Sequence, residues 1–190
     1  EKEQGLSQLM KMMGLQGRIY SVVSYIFFFL LYCLSTAFVI VVAVLLDFRY
    51  FTVNSPAVYV LFFFMWGHVL VALSFFMSTF FSRTRAASIV CYMLVFVTGM
   101  IAGQLQRRFL EQEDAEGINR AFQIIPAFTL YRGLFELSSY TAGNGNGLSW
   151  DNFDGATNMQ ASMIAMVPLW IVMLVLSVYL GNVLPTAAGA

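Results

Sequence analysis

Four long apolar runs divide the chain, and polar segments separate them. None of the four contains Asp, Glu, Lys or Arg, and they cover residues 22–46, 57–81, 86–103 and 162–183. Because an α-helix rises about 1.5 Å per residue, about 20 apolar residues are enough to cross a hydrocarbon core of about 30 Å. The pattern therefore predicts four transmembrane helices in an all-α polytopic membrane protein.

A different pattern, with a helical period, precedes the first run. Within residues 1–18, apolar side chains stand at i, i+3, i+4 and i+7, namely Leu6, Leu9, Met10 and Met13. On a helix these side chains share one face, and polar residues occupy the other. We expect an amphipathic helix that lies along the inner membrane surface and leads directly into the first span.

The composition supports a membrane protein. Apolar residues make up 59% of the 190 residues and charged residues 11%, with a mean hydropathy of +0.76, which is too apolar for an ordinary soluble domain. The ten basic and ten acidic residues cancel, so charge gives no reason to expect a nucleic-acid partner. The chain begins with Glu rather than Met, and we expect it to be a piece of a longer polypeptide.

The basic residues predict which side of the membrane each loop occupies. Three of them lie in the amphipathic helix, and Arg83 and Arg85 fall on the same side, whereas the loop after the first span holds only Arg49. Because Lys and Arg accumulate in short cytoplasmic loops, both ends of this segment are predicted to be cytoplasmic. We expect the protein to lie in the plasma membrane or in an internal membrane.

Two segments lie between the third and fourth runs, on the predicted outer side. Residues 104–140 carry more acidic than basic side chains and are predicted to be an extracytoplasmic segment. Residues 141–161 begin with a Gly- and Asn-rich stretch and are predicted to form an outer loop.

The second half of the extracytoplasmic segment is apolar enough to resemble a fifth span. However, Pro126 interrupts a helix there, Gly133 weakens it, and Arg132 and Glu136 would place two charges near the middle of the membrane. A re-entrant helical hairpin that enters the outer leaflet and returns avoids most of that cost. We therefore predict such a hairpin before the last span.

No arrangement of residues predicts catalysis, a bound cofactor or a metal site. The sequence has no HExxH motif and no Gly-rich loop that ends in Gly-Lys-Ser/Thr. Cys33 and Cys91 lie in apolar runs without metal-ligand spacing, and we expect both to be small buried hydrophobic residues. We interpret His68 as a neutral, hydrogen-bonded interior histidine rather than as part of a proton relay.

Four motifs resemble the A subfamily of ABC transporters, and together they extend over nearly the whole chain. Residues 2–15 resemble its cytoplasmic coupling helix, and residues 80–87 resemble the inner turn between its fourth and fifth helices. Residues 126–134 are similar to a Pro-Phe-x-Leu-x-x-Gly-Leu segment in its outer-leaflet helical hairpin. Residues 179–185 resemble the stretch that leaves its sixth helix toward the nucleotide-binding domain.

The resemblance implies helices three to six of a transmembrane domain in an ATP-driven transporter of lipid or another amphipathic substrate. The implied partners are a nucleotide-binding domain, a second transmembrane domain and membrane lipid, with ATP and Mg bound outside this chain. The residues implied in coupling to the ATPase domain are Glu3, Leu9, Met10, Met13 and Gly14. Those implied in the outer hairpin are Pro126, Phe128, Arg132, Gly133 and Glu136.

Two other classes of function stay open from the residues alone. A self-standing membrane enzyme that acts on lipid would need a cluster of intramembrane acids, histidines or cysteines, and the runs contain none. A passive channel or an assembly subunit would present polar residues along one helix face. The few scattered Ser and Thr residues in the runs do not decide this point.

Overall fold

The structure, a computed structural model, describes most of the chain from the first span onward. The described residues are 17–81, 84–109, 125–142, 145, 147–153 and 157–183. Within them every regular element is a helix, in the order α1 (Gly17–Leu45), α2 (Arg49–Thr52), α3 (Pro56–Phe80), α4 (Thr84–Phe109), α5 (Pro126–Thr141) and α6 (Thr157–Val183). The predicted all-α class is confirmed.

Three of the helices are long and apolar enough to cross a membrane. These segments are Ile19–Leu45 in α1, Pro56–Phe80 in α3 and Met159–Gly181 in α6. The third predicted span lies in α4, whose apolar part, Ser88–Ile101, is shorter than the other three. The chain is a membrane protein, and the total of four complete crossings stays a prediction.

Local sequence signals set several helix ends. Asp47 adopts a left-handed backbone conformation (φ 52°) just after α1, and prolines occupy the first positions of α3 and α5, where their missing N–H group is not needed. α6 continues through Pro168, and both α4 and α6 extend beyond the predicted apolar runs. Helices extend in this way because backbone hydrogen bonds, unlike membrane crossing, do not require apolar side chains.

The core lies mainly between α3 and α6. α3 contributes Val58, Phe62 and Val69, which are fully buried, and α6 faces them with Met159 and Met166. Unbranched methionine side chains fill the irregular space beside aromatic rings. α5 packs against α6 and α4, whereas α1 lies at the edge of the bundle and packs mainly against α3 and α2.

Three segments meet at the predicted outer end of the bundle. Asn54 is buried; its Oδ1 accepts a hydrogen bond from the Leu148 backbone N–H at 2.7 Å. Its Nδ2 donates to the backbone oxygens of Tyr50 and Leu137 at 2.9 and 3.3 Å. Gly147 (φ 73°) lets the loop that carries Leu148 approach Val53, in the turn after the first span, closely. We call these contacts the Asn54 clamp.

Candidate functional site

One face of α1 carries three aromatic residues that contact α3. Tyr25, Phe29 and Tyr32 stand at i, i+4 and i+7, so they project from the same side of the helix. The Tyr32 hydroxyl donates to the backbone oxygen of Phe63 at 2.9 Å, and its ring lies where a Cβ at position 67 would be. Gly67 therefore makes the close approach of α1 and α3 possible, and we call this set of contacts the aromatic seam.

The aromatic seam includes a chain of hydrogen bonds that joins three helices. The Tyr25 hydroxyl on α1 lies 2.7 Å from Nδ1 of His68 on α3, and Nε1 of Trp170 on α6 donates to the same hydroxyl oxygen at 3.0 Å. We call this arrangement the Trp170–Tyr25–His68 chain. It provides the hydrogen bond that was predicted for the histidine.

Aromatic rings surround the His68 imidazole. The imidazole stacks on Phe29 with ring centroids 4.1 Å apart, and the rings of Phe64 and Trp170 each lie 5.0 Å from it. In the described part of the chain, no group of three His, Cys, Asp or Glu side chains is placed to hold a metal ion. The environment of His68 therefore suits structural hydrogen bonding.

A groove opens between α1 and α3 beside the aromatic seam. Its volume is about 510 Å³, which lies in the range of small-molecule sites. Aromatic and aliphatic side chains form most of its walls, and three serine hydroxyls reach it. The groove is lined by Leu31 and Ser35 from α1, among others, and by Leu70, Ser74, Phe75 and Ser78 from α3.

The hydroxyl hydrogens along this groove are largely used within the protein. Ser74 donates to the backbone oxygen of Leu70 at 2.9 Å, and Ser78 donates to that of Phe75 at 2.7 Å. Tyr32, which also lines the groove, donates to the backbone of α3. These groups present oxygen lone pairs among apolar walls, so the groove suits a hydrocarbon chain with few polar contacts.

α5 carries the residues that were predicted for the outer hairpin. Pro126 is its first residue, and a buried stripe continues from it through Thr129, Gly133 and Leu137. The Phe62 ring of α3 packs against the backbone at Gly133, where any Cβ would collide with it. The stripe therefore fixes one face of α5 against the bundle.

The other predicted hairpin residues flank this stripe. Phe128, Arg132 and Glu136 are half-buried, and the two charged residues stand at i and i+4 on one side of α5. α5 has 16 residues, about 24 Å of helix, which is less than the thickness of a hydrocarbon core. The preceding limb lies outside the described residues, so the re-entrant hairpin stays a prediction.

The residues predicted to couple the chain to an ATPase domain also lie outside the described residues. They are Glu3, Leu9, Met10, Met13 and Gly14. α1 begins at Gly17, a few residues further along the chain.

Sequence reasoning missed Tyr25, Trp170 and Asn54. For Tyr25, the helical spacing of the α1 aromatic residues, together with a single histidine in the apolar runs, was a usable signal. Asn54 had the composition of an ordinary turn residue, and nothing local indicates partners 83 and 94 positions away.

Together, the spans and their buried contacts define an all-helical, multi-pass membrane protein. Residues 1–179 match the family described as ABC-2 family transporter protein. The chain belongs to this family and is a membrane domain of a transporter.

Its relatives are A-family members, and the predicted resemblance is confirmed. ABC transporter A family member 12 of Arabidopsis thaliana is 29% identical over 184 residues, which cover 96% of this chain and 20% of that protein. Member 9 of Dictyostelium discoideum is 33% identical over 189 residues, covering 100% of this chain and 22% of that protein. Member 8 of Arabidopsis thaliana is 32% identical over 189 residues, with coverages of 97% and 21%. The chain thus spans about a fifth of the length of these relatives.

Proposed function

We propose that this chain is the membrane-spanning part of an ATP-driven transporter that moves lipid or another amphipathic substrate. Membership of a transporter family favours this function over a self-standing lipid enzyme, a passive channel or an assembly subunit. The observation that carries the substrate class is the groove between α1 and α3. The groove lies between two helices that are long and apolar enough to span a membrane. Its apolar walls and hydroxyl acceptors suit the hydrocarbon part of an amphipathic molecule.

In this proposal, ATP and Mg bind to a nucleotide-binding domain outside the chain, and a second transmembrane domain completes the substrate path. The amphipathic helix predicted within residues 1–18, before α1, receives the motion of the nucleotide-binding domain on the cytoplasmic side. Met10 and Met13 are adaptable apolar contacts for a groove in that domain. The short covalent path from Met13 to α1 supports this part of the proposal, because a displaced helix would act first on α1.

The proposal also includes a sidedness. Both ends of the segment face the cytoplasm, and α5 belongs to a hairpin that enters the outer leaflet. The short length of α5 supports a hairpin that does not cross, and its packing against Phe62 keeps it near the end of α3 that follows the first predicted outer loop.

The substrate class is tested by filling the groove in the full-length transporter. Leu31 and Leu34 stand one turn apart on α1; Leu31 lines the groove, whereas Leu34 is 71% exposed and does not. Leu31→Trp should lower transfer of a fluorescent phospholipid and lipid-stimulated ATP hydrolysis in proteoliposomes, and Leu34→Trp should leave both near the wild-type rate. Equal rates in the two variants would contradict a role for the groove.

The coupling role is tested separately at the amphipathic helix. Met13→Asp should leave ATP hydrolysis active but reduce the amount of substrate moved per ATP, because a charge replaces an apolar contact. Gln8→Asp, on the polar side of the same helix, is the matched control. Unchanged transport per ATP in Met13→Asp would show that this face does not transmit the motion.

A further inference from the structure

We propose that the Trp170–Tyr25–His68 chain is a latch that holds α1 to α3 and α6, so that the three helices move as one body during the transport cycle. Tyr25, His68 and Trp170 are positioning residues in this proposal, since none of them is assigned a contact with substrate or nucleotide. The consequence for transport rests on the proposed function, whereas the attachment of α1 to α3 and α6 is independent of it.

The first step of the argument is that packing within this chain holds α1 weakly. Ala43 is the one residue of α1 that is buried among those whose exposure the structure describes, and only 6% of the most apolar stretch of this helix is buried. α3, by comparison, has 33% of its corresponding stretch buried. Within the described part of the chain, directed contacts therefore supply much of the attachment of α1 to α3 and α6.

The second step concerns the direction of the two hydrogen bonds. An indole N–H only donates, so the Tyr25 oxygen accepts from Trp170. Tyr25 has a single hydroxyl hydrogen, and among the described residues its remaining partner is His68 Nδ1. With the imidazole proton on Nε2, Nδ1 accepts the Tyr25 hydrogen, and both donor hydrogens of the chain are then used.

The third step is that the hydrogen bonds lie between membrane-spanning helices, where the surroundings are hydrocarbon. No water is present in the hydrocarbon core to replace a lost partner, so breaking either bond leaves a polar group unsatisfied. The separated state of α1 is disfavoured for this reason, although the contact area is small.

The fourth step is the position of the latch along α1. Tyr25 lies eight residues, about two helical turns, after Gly17, where α1 begins. A push that enters α1 at this end reaches the latch before the rest of the helix. The latch would then pass it to α3 and to α6, which forms the core with α3.

The test measures the attachment of α1 directly in the full-length transporter without nucleotide. Spin labels at Leu34 on α1 and Leu61 on α3, both exposed, report the distance between the helices by pulsed electron paramagnetic resonance. Tyr25→Phe should raise the population at longer distance by about three- to tenfold, as expected for the loss of an interhelical hydrogen bond. Tyr92→Phe, at a side chain that is 78% exposed on α4, is the control for loss of a tyrosine hydroxyl.

Two variants at position 68 distinguish the effect of the hydrogen bond from the effect of side-chain size. Asn and Leu have similar size, and the Asn side-chain oxygen can accept near the place of Nδ1, whereas Leu cannot. His68→Asn should keep a distance distribution near the wild type, and His68→Leu should broaden it as Tyr25→Phe does. If Tyr25→Phe is not recovered in folded form, Trp170→Phe removes the other bond and should also detach α1.

The outcomes distinguish the latch from the proposed function. An unchanged distance distribution in Tyr25→Phe, or equal behaviour of His68→Asn and His68→Leu, would overturn the latch. If that occurs while Met13→Asp still uncouples transport, the proposed function stands without it. If Met13→Asp has no effect on coupling but Tyr25→Phe detaches α1, the latch stands and the coupling role of the amphipathic helix is wrong.

Discussion

The Asn54 side chain binds the backbone of Leu148, a residue 94 positions further along the chain. Both residues are almost fully buried, at 2% and 1% exposure, and the Ser55 N–H donates to the Leu148 carbonyl at 2.9 Å. The turn after the first span is thus bound to the loop that precedes the last one. With its further bond to the end of α5, the Asn54 clamp closes one end of the bundle.

Removal of the clamp should destabilise the membrane domain. Asn54→Ala leaves the buried Leu148 N–H without its acceptor, at a cost of about 1–3 kcal/mol in the free energy of unfolding. Thermal unfolding of the purified full-length transporter in bicelles would measure the loss. Asn152→Ala, at an exposed asparagine near Leu148, should have little effect, and equal losses in the two variants would show that the clamp is not stabilising.

The contact between α5 and α3 should not tolerate a side chain at Gly133. Gly133→Ala places a Cβ against the Phe62 ring and should lower stability by about 1–3 kcal/mol through overpacking. Phe62→Leu should restore part of the loss in the double variant, although it is destabilising alone. Gly181→Ala is the control, since nothing lies within 4 Å of a Cβ there; a loss at Gly181 as large as at Gly133 would contradict the packing argument.

Tyr50, in the short helix α2 outside the spans, should make the protein sensitive to alkali. Burial raises the pKa of its hydroxyl above the ordinary value of 10.0, so the folded state holds this proton more tightly than the unfolded state. The contribution of Tyr50 to stability is therefore complete below about pH 10 and is lost as the pH rises further. We expect the melting temperature to fall between neutral pH and about pH 11.

Tyr50→Phe should reduce this alkaline loss. The Tyr50 hydroxyl is buried and has no hydrogen-bond partner among the described residues, so its removal should change stability at neutral pH by less than about 1 kcal/mol. Melting temperatures of wild type and variant, compared at both pH values, give the measurement. A variant that loses as much stability as the wild type at high pH would exclude Tyr50 as the group responsible.

Single cysteines should show whether α4 crosses the membrane. Arg85 lies near the start of α4 and Ala142 just after α5, and both are exposed. In a protein without its native cysteines, an impermeant maleimide should label Ala142→Cys in intact cells, and Arg85→Cys only after permeabilisation. Labelling of both from the same side would mean that α4 and α5 cross together or not at all, and the predicted four spans with a hairpin would be wrong.

The hydrophobic pattern was sufficient for the class of the protein and for several boundaries. The run at residues 57–81 differs by one residue at each end from α3, Pro56–Phe80. The helix begins one residue earlier because a proline favours the first helical position. The family was also recognisable from four short motifs, and the family match over residues 1–179 confirmed it. These features depend on neighbouring residues or on order along the chain.

Partners across the bundle could not be predicted in the same way. The period of α1 places Tyr25, Phe29 and Tyr32 on one face, but it does not say which helix that face meets. His68 and Trp170 lie 43 and 145 positions from Tyr25, and their hydrogen bonds form only because α3 and α6 bring them to the same depth. The sequence by itself determined that this chain enters a membrane as apolar helices, because the transfer of side chains into hydrocarbon depends on local composition. Only the tertiary structure decided which polar groups meet there, because each must find a partner where water is absent.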